Sequence, residues 1–158
     1  MNTRKQTFEK AELTVISWMA RNGLMLLRIN IGIIFFWFGF LKFFEGLSPA
    51  EDLAIRTIDT LTFHLLPAKV IIYGLAIWEV LIGLGMLINR FMRATLLLLF
   101  LQMLGTFTPL FLFPSEVFHV FPVSLTLEGQ YIVKNIIIIG GAFVLGAKLR
   151  NDRIVNQS

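Results

Sequence analysis

Val70–Ile88 reads VIIYGLAIWEVLIGLGMLI, nineteen residues with one charge, Glu79. At a rise of about 1.5 Å per residue, this length crosses a hydrocarbon core about 30 Å thick as a helix. Glu79 then sits close to the midplane. An unpaired ionised carboxylate is costly there, so it has to be protonated, paired or turned to a polar interior. The stretch predicts a membrane helix, and its single carboxyl predicts partners on neighbouring helices.

The rest of the chain agrees with a membrane setting. Of 158 residues 56% are hydrophobic and the mean hydropathy is +0.77, too little polar surface for a soluble domain of this size. The net charge of +4 sits between apolar runs and reads as topology, not as a nucleic-acid surface. There is no cysteine, so disulfides, thiol catalysis, iron–sulfur clusters and thiolate metal sites are excluded within this chain. The sixteen Phe read mostly as lipid-facing or packing residues. The first apolar run begins more than twenty residues in and is followed by three more, which reads as a retained helix and not as a signal peptide.

The expected fold class is all-α: a polytopic membrane protein with a bundle of four transmembrane helices, at about 24–44, 70–88, 94–113 and 130–147. Residues 1–21 form a cytoplasmic segment; an interfacial helix with Trp18 near the headgroups and a frayed tail both fit it. Residues 22–148 form the membrane domain and 149–158 a cytoplasmic tail. The loop after the first span is long, and Ala50–Leu66 within it fits a short amphipathic helix. In the third span Gln102, Thr106 and Pro109 lie along one side, with Pro109 placed to kink or end it.

Both tails and the Asn89–Arg93 turn carry nine Lys and Arg, against two, Arg56 and Lys69, in the loops on the opposite side. The positive-inside rule then puts both termini in the cytoplasm, N-in and C-in.

Two charges flank Glu79 in candidate position. In the first span Arg28, Gly32, Phe35, Gly39 and Lys42 share one face, and the two glycines admit a close neighbour. Taking the inner edge at Leu24 of the first span and the outer edge at Val70 of the second puts Arg28 about 8 Å from the inner edge and Glu79 about 14 Å from the outer one. The axial offset, on the order of 7 Å, is within reach of a guanidinium. An Arg28–Glu79 pair is therefore expected, with Gln102 as a hydrogen-bonding neighbour. Such a pair serves either as a polar pocket for a headgroup such as a quinone ring, or as a latch between helices.

Lys42 and Lys134 form an outer group. Lys42, near the boundary, suits snorkelling to headgroups. Lys134 shares a face with Gly141 and is expected at a site mouth with Glu128 and Gln130. The candidate set is thus Glu79 and Arg28 for chemistry, and Gln102, Lys134, Gln130 and Lys42 for ligand binding. His64 and His119 lie in outer loops without ligand-spaced partners, so no metal or haem is expected.

Three stretches carry a resemblance. LRINIGIIFFWFGFLKF holds Arg28, Gly32, Gly39, Lys42 and Phe43; WEVLIGLGMLI holds Glu79 and Gly83; EGQYIVKNIIIIGGA holds Gly129, Gln130, Lys134 and Asn135. In order and layout they resemble DoxX-like membrane proteins, over roughly Leu24–Ala147. The resemblance implies a four-helix membrane bundle. One branch of that family is the small membrane subunit of a thiosulfate:quinone oxidoreductase, and others are linked to oxidative or reactive-chlorine stress resistance. It also implies Arg28, Glu79 and Lys134 as the polar site.

The function expected from all this is a bacterial inner-membrane module. It would bind a quinone or similar amphipathic redox ligand and act with a partner subunit or as a homo-oligomer in the lipid bilayer. Its rivals are a non-enzymatic scaffold subunit and a small proton-coupled transporter, which would need to oligomerise. No self-contained catalytic motif and no nucleic-acid partner is expected.

Overall fold

The computed structural model describes residues 3–155, with side chains for 8–149. Among these, four helices are long and apolar enough to cross a membrane, within Phe8–Leu41, Ala68–Ile88, Met92–Leu112 and Leu127–Leu149. The all-α four-helix membrane fold expected from the hydropathy pattern is the one the chain adopts.

Helix α1 runs without a break over Thr3–Leu41. Its 39 residues measure about 58 Å, nearly twice the hydrocarbon core. The helix passes through Arg21 and the Asn22-Gly23 pair that follows it without interruption. Residues 8–21 are exposed throughout. The side chains of Arg4, Lys5, Arg150 and Arg153, which entered the charge count, lie outside the described residues, as do residues 156–158 of the expected tail.

A short helix, α2 (Glu51–Leu61), follows with Glu51 and Asp52 in its first turn, where acids oppose the helix dipole favourably. Its buried face is Leu53 and Thr57; Leu61 points outward. Pro67 precedes α3 (Ala68–Ile88), which ends at Asn89 in the left-handed region, a conformation Asn tolerates well. Helix α4 (Met92–Phe107) gives way at Thr108 to the short α5 (Pro109–Leu112), so Pro109 interrupts the regular helix within the Met92–Leu112 span, as its missing N–H requires.

The segment that follows α5 is ordered. It holds α6 (Pro114–Val117) and an antiparallel hairpin of β1 (Phe118–Val120) and β2 (Ser124–Leu125), with Phe118 opposite Leu125. Thr126 then caps α7 (Leu127–Val155): its hydroxyl accepts from Gly129 N at 3.1 Å and donates to Glu116 O at 2.7 Å.

Helices α1 and α3 pack antiparallel along their glycines. Gly32 lies against Met86 and Leu87, Gly83 against the backbone of Phe36, and Gly39 against Glu79 and Val80. A Cβ on Gly39 would fall 2.8 Å from Val80 N, so only a residue without one allows this approach. The core has two parts. Toward the end that carries the termini, Ile31, Phe35, Ile82, Met86, Leu99 and Ala142 close the bundle. At the opposite end, called here the loop end, Leu53, Val117 and Ile132 join α2 and α6 to α7.

Candidate functional site

Glu79 is buried and meets two donors. Lys42 Nζ lies 2.7 Å from Oε2, and Gln102 Nε2 donates to Oε1 at 2.9 Å. The residue that follows α1 is thus tied to α3 and α4 at one level, with a donor on each carboxylate oxygen. Lys42 also reaches Phe38 O, at 3.4 Å. Both side chains of the pair are 9% exposed. Inside a bundle such a pair is held by mutual attraction and satisfied hydrogen bonds, and neither member is easily spared.

The expected partner of Glu79 was Arg28, and this is corrected. The Arg28 guanidinium donates to the carbonyls of Met86 and Leu87, near the C-terminus of α3. Cations are favourable at that end of a helix, where carbonyls lack intrahelical donors. The error lay in the assumed edge of the first span. Because α1 continues as a helix below Leu24, hydropathy placed Arg28 too deep, and the antiparallel seam brings Lys42 and not Arg28 level with Glu79. Lys42 is correspondingly not a snorkelling cation. Gln102 stands where expected, as a hydrogen-bonding neighbour of Glu79.

The pair faces a cavity of about 590 Å³ in the loop-end half of the bundle. Apolar walls dominate, among them Phe35, Phe38, Leu53, Trp78 and Ile132. Trp78 is fastened by its indole N–H to Leu98 O, at 3.1 Å. Besides Lys42, Glu79 and Gln102, the polar lining is Thr57 of α2, Thr106 of α4, and Glu128, Tyr131 and Asn135 of α7. The Gln102 amide is oriented by the carboxylate, which demands its N–H₂ side. Its Oε1 is buried and finds no donor among the described residues.

Lys134 and Gln130 are exposed and do not line the cavity. The side of α7 facing it carries Glu128, Tyr131 and Asn135 instead, spaced three and four apart, so a neighbouring stripe of the same helix lines the cavity where Lys134 was expected. Of that earlier mouth group only Glu128 stands at the cavity. The spacing of Glu128, Tyr131 and Asn135 was the available signal in the sequence. Thr57 had no signal: its place depends on how α2 folds back over the bundle.

Helix α2 roofs the cavity. Arg56 makes a bidentate pair with Glu116 of α6, with Nη1 to Oε1 at 2.6 Å, and its guanidinium lies over the Phe113 ring.

A family model described as DoxX matches residues 23–113. The chain belongs to the DoxX family. No curated protein and no solved structure matches it. In this DoxX protein the matched region contains Arg28, Lys42, Glu79 and Gln102, and with them the whole buried charge cluster. Tyr131 and Asn135 lie beyond it, so α7 completes the cavity from outside the matched part.

Proposed function

We propose that this DoxX-family protein binds an amphipathic redox ligand of quinone type in the cavity beside Lys42 and Glu79. It acts with a partner subunit, or as a homo-oligomer, in quinone-linked electron transfer or oxidative-stress defence at the bacterial inner membrane, with both termini in the cytoplasm. The observation that carries this reading is a charged pair set in the wall of a largely apolar, membrane-embedded cavity. Ligand sites typically combine apolar walls with a few placed polar groups.

The form of the cavity supports an amphiphile. Ile34, Phe38, Trp78 and Leu101 line it and are also exposed on the outer surface of the bundle, so it opens sideways to lipid. A ring enters between the helices while an apolar tail stays in the bilayer. Lys42 supplies a donor to a carbonyl oxygen. Glu79 supplies a carboxylate able to hold or pass a proton, and Gln102 orients it through its hydrogen bond to Oε1. Arg28 lies outside the site and fixes the end of α3.

The rival reading, a scaffold whose ion pair only locks three helices, draws on the completeness of the Glu79 hydrogen bonds. Purified protein in mild detergent, its absorption spectrum and the quinone content of its organic extract decide between them. Quinone in wild type that disappears from folded Glu79→Gln and Lys42→Met is the expected result. Phospholipid alone, in a colourless protein with no quinone-dependent activity, would establish the scaffold reading.

A further inference from the structure

The Glu79–Lys42 pair has very different surroundings toward the two ends of the bundle. Toward the termini lies the close-packed apolar layer. Ile82, Met86, Leu99 and Ala142 in it are completely inaccessible. From Glu79 to Met86, α3 advances seven residues, about 10 Å of apolar packing before the Arg28 guanidinium is met. The seam of α1 and α3 adds no gap, since Gly83 lies on the Phe36 backbone. Thr95, the buried hydroxyl of this half, is occupied by Phe91 O at 3.3 Å. Water placed in such a layer would lose its hydrogen bonds without replacement.

Toward the loop end the cavity begins at the pair itself. A ladder of polar side chains rises from it: Gln102 and Thr106 on α4, then Asn135, Tyr131 and Glu128 on α7. Tyr131, at 50% exposure, and Leu66, at 40%, mark where the cavity reaches the surface. The titratable groups that share this space with Glu79 are Lys42, the residue after α1, and Glu128 and Tyr131 from α7. Helices α2 and α4 contribute only Thr57, Gln102 and Thr106 to its polar lining.

We infer that the Glu79–Lys42 site exchanges protons and polar solutes with one side of the membrane only, the side of α2 and the β-hairpin. The apolar layer seals it from the side of the termini. This stands on the cavity and the core alone and holds whatever ligand the cavity takes. By the charge distribution of the loops, the connected side is the outer one. A proton taken up at this site is therefore drawn from the outer compartment and one released is delivered to it, although the greater part of the chain's basic charge faces the other.

The cysteine-free sequence makes the test direct. Single cysteines are introduced by Thr106→Cys and Asn135→Cys in the cavity, Leu99→Cys in the layer, and Glu79→Cys at the pair. Val123→Cys in the hairpin and Phe91→Cys in the basic turn, both highly exposed, mark the two sides. A small, membrane-impermeant cationic methanethiosulfonate is added to one side of sealed vesicles at a time. The cavity positions are expected to be labelled together with Val123→Cys from the loop side, and not from the side that labels Phe91→Cys. Leu99→Cys is expected to stay unlabelled from both sides until the protein is unfolded in detergent.

Labelling of Thr106→Cys or Asn135→Cys from the side of the termini would overturn the inference. So would labelling of folded Leu99→Cys, or failure of both cavity positions to react from the loop side while reacting after unfolding. Thr106→Cys and Asn135→Cys keep the ion pair, so the result stands even if Glu79→Cys does not fold.

Discussion

The ammonium of Lys42 lies 2.7 Å from the carboxylate of Glu79, although 37 residues separate them in the chain. They meet because Gly39 brings α1 onto the backbone of α3 at the level of Glu79 and Val80. One close helix contact therefore places the only buried ion pair among the described residues.

Breaking this pair from either side leaves a buried charge without its counterpart. Lys42→Met and Glu79→Gln are each expected to lower stability by about 3–5 kcal/mol. The double variant, which removes both charges, is expected to recover most of that loss. Thermal unfolding of the four proteins in one detergent measures the coupling. Strictly additive losses would mean that the two groups do not depend on each other.

Arg28 is expected to behave differently. Arg28→Met removes hydrogen bonds to the Met86 and Leu87 carbonyls, at a cost of roughly 1.5–3 kcal/mol for bonds of a charged donor. The cavity lies on the other side of the apolar layer, so ligand bound per folded molecule is expected to be unchanged. Loss of ligand at an unchanged melting temperature would place Arg28 in the site after all.

Gly83 tests the helix seam. A side chain there overlaps the Phe36 backbone, which cannot swing aside as a side-chain tip can. Gly83→Val is expected to cost about 1–3 kcal/mol or more through overpacking. Gly140→Ala, with nothing within 4 Å, is expected to be neutral or to gain about 0.5–1 kcal/mol from the helix backbone. Expression and melting temperature of the two variants should diverge; similar behaviour would refute the close approach.

On α7 the two polar stripes are separable. Asn135→Leu is expected to reduce ligand content, and Lys134→Ala to leave it unchanged, because the first lines the cavity and the second is exposed. Quinone extracted per mole of folded protein reads both. The opposite pattern would return the site mouth to Lys134.

Arg56→Ala should have a small effect on overall stability, about 0–1 kcal/mol, since the pair with Glu116 is largely in solvent. Its consequence is local: α2 loses its tie to α6. Faster amide exchange over α2 with little change in melting temperature is the expected signature, and unaltered exchange would show that Leu53 and Thr57 hold the roof unaided.

By itself the sequence determined the four spans, the shared end of the termini, the burial of Glu79 and its contact with Gln102, because length and hydropathy are local quantities and a bilayer imposes one thickness on every helix. The Asn89 stop of α3 and the Pro109 break of α4 were legible for the same local reason. Only the tertiary structure decided that Lys42, not Arg28, neutralises Glu79, since that choice depends on the vertical register of two antiparallel helices. Register was set by how closely Gly39 and Gly83 let the backbones approach, while hydropathy could not locate the membrane edge on a helix that runs on unbroken past it. The rotation of α7, which turns Tyr131 and Asn135 inward and Lys134 outward, and the folding of α2 over the cavity were equally invisible. They follow from packing between distant segments, where an ångström of displacement changes which side chains meet.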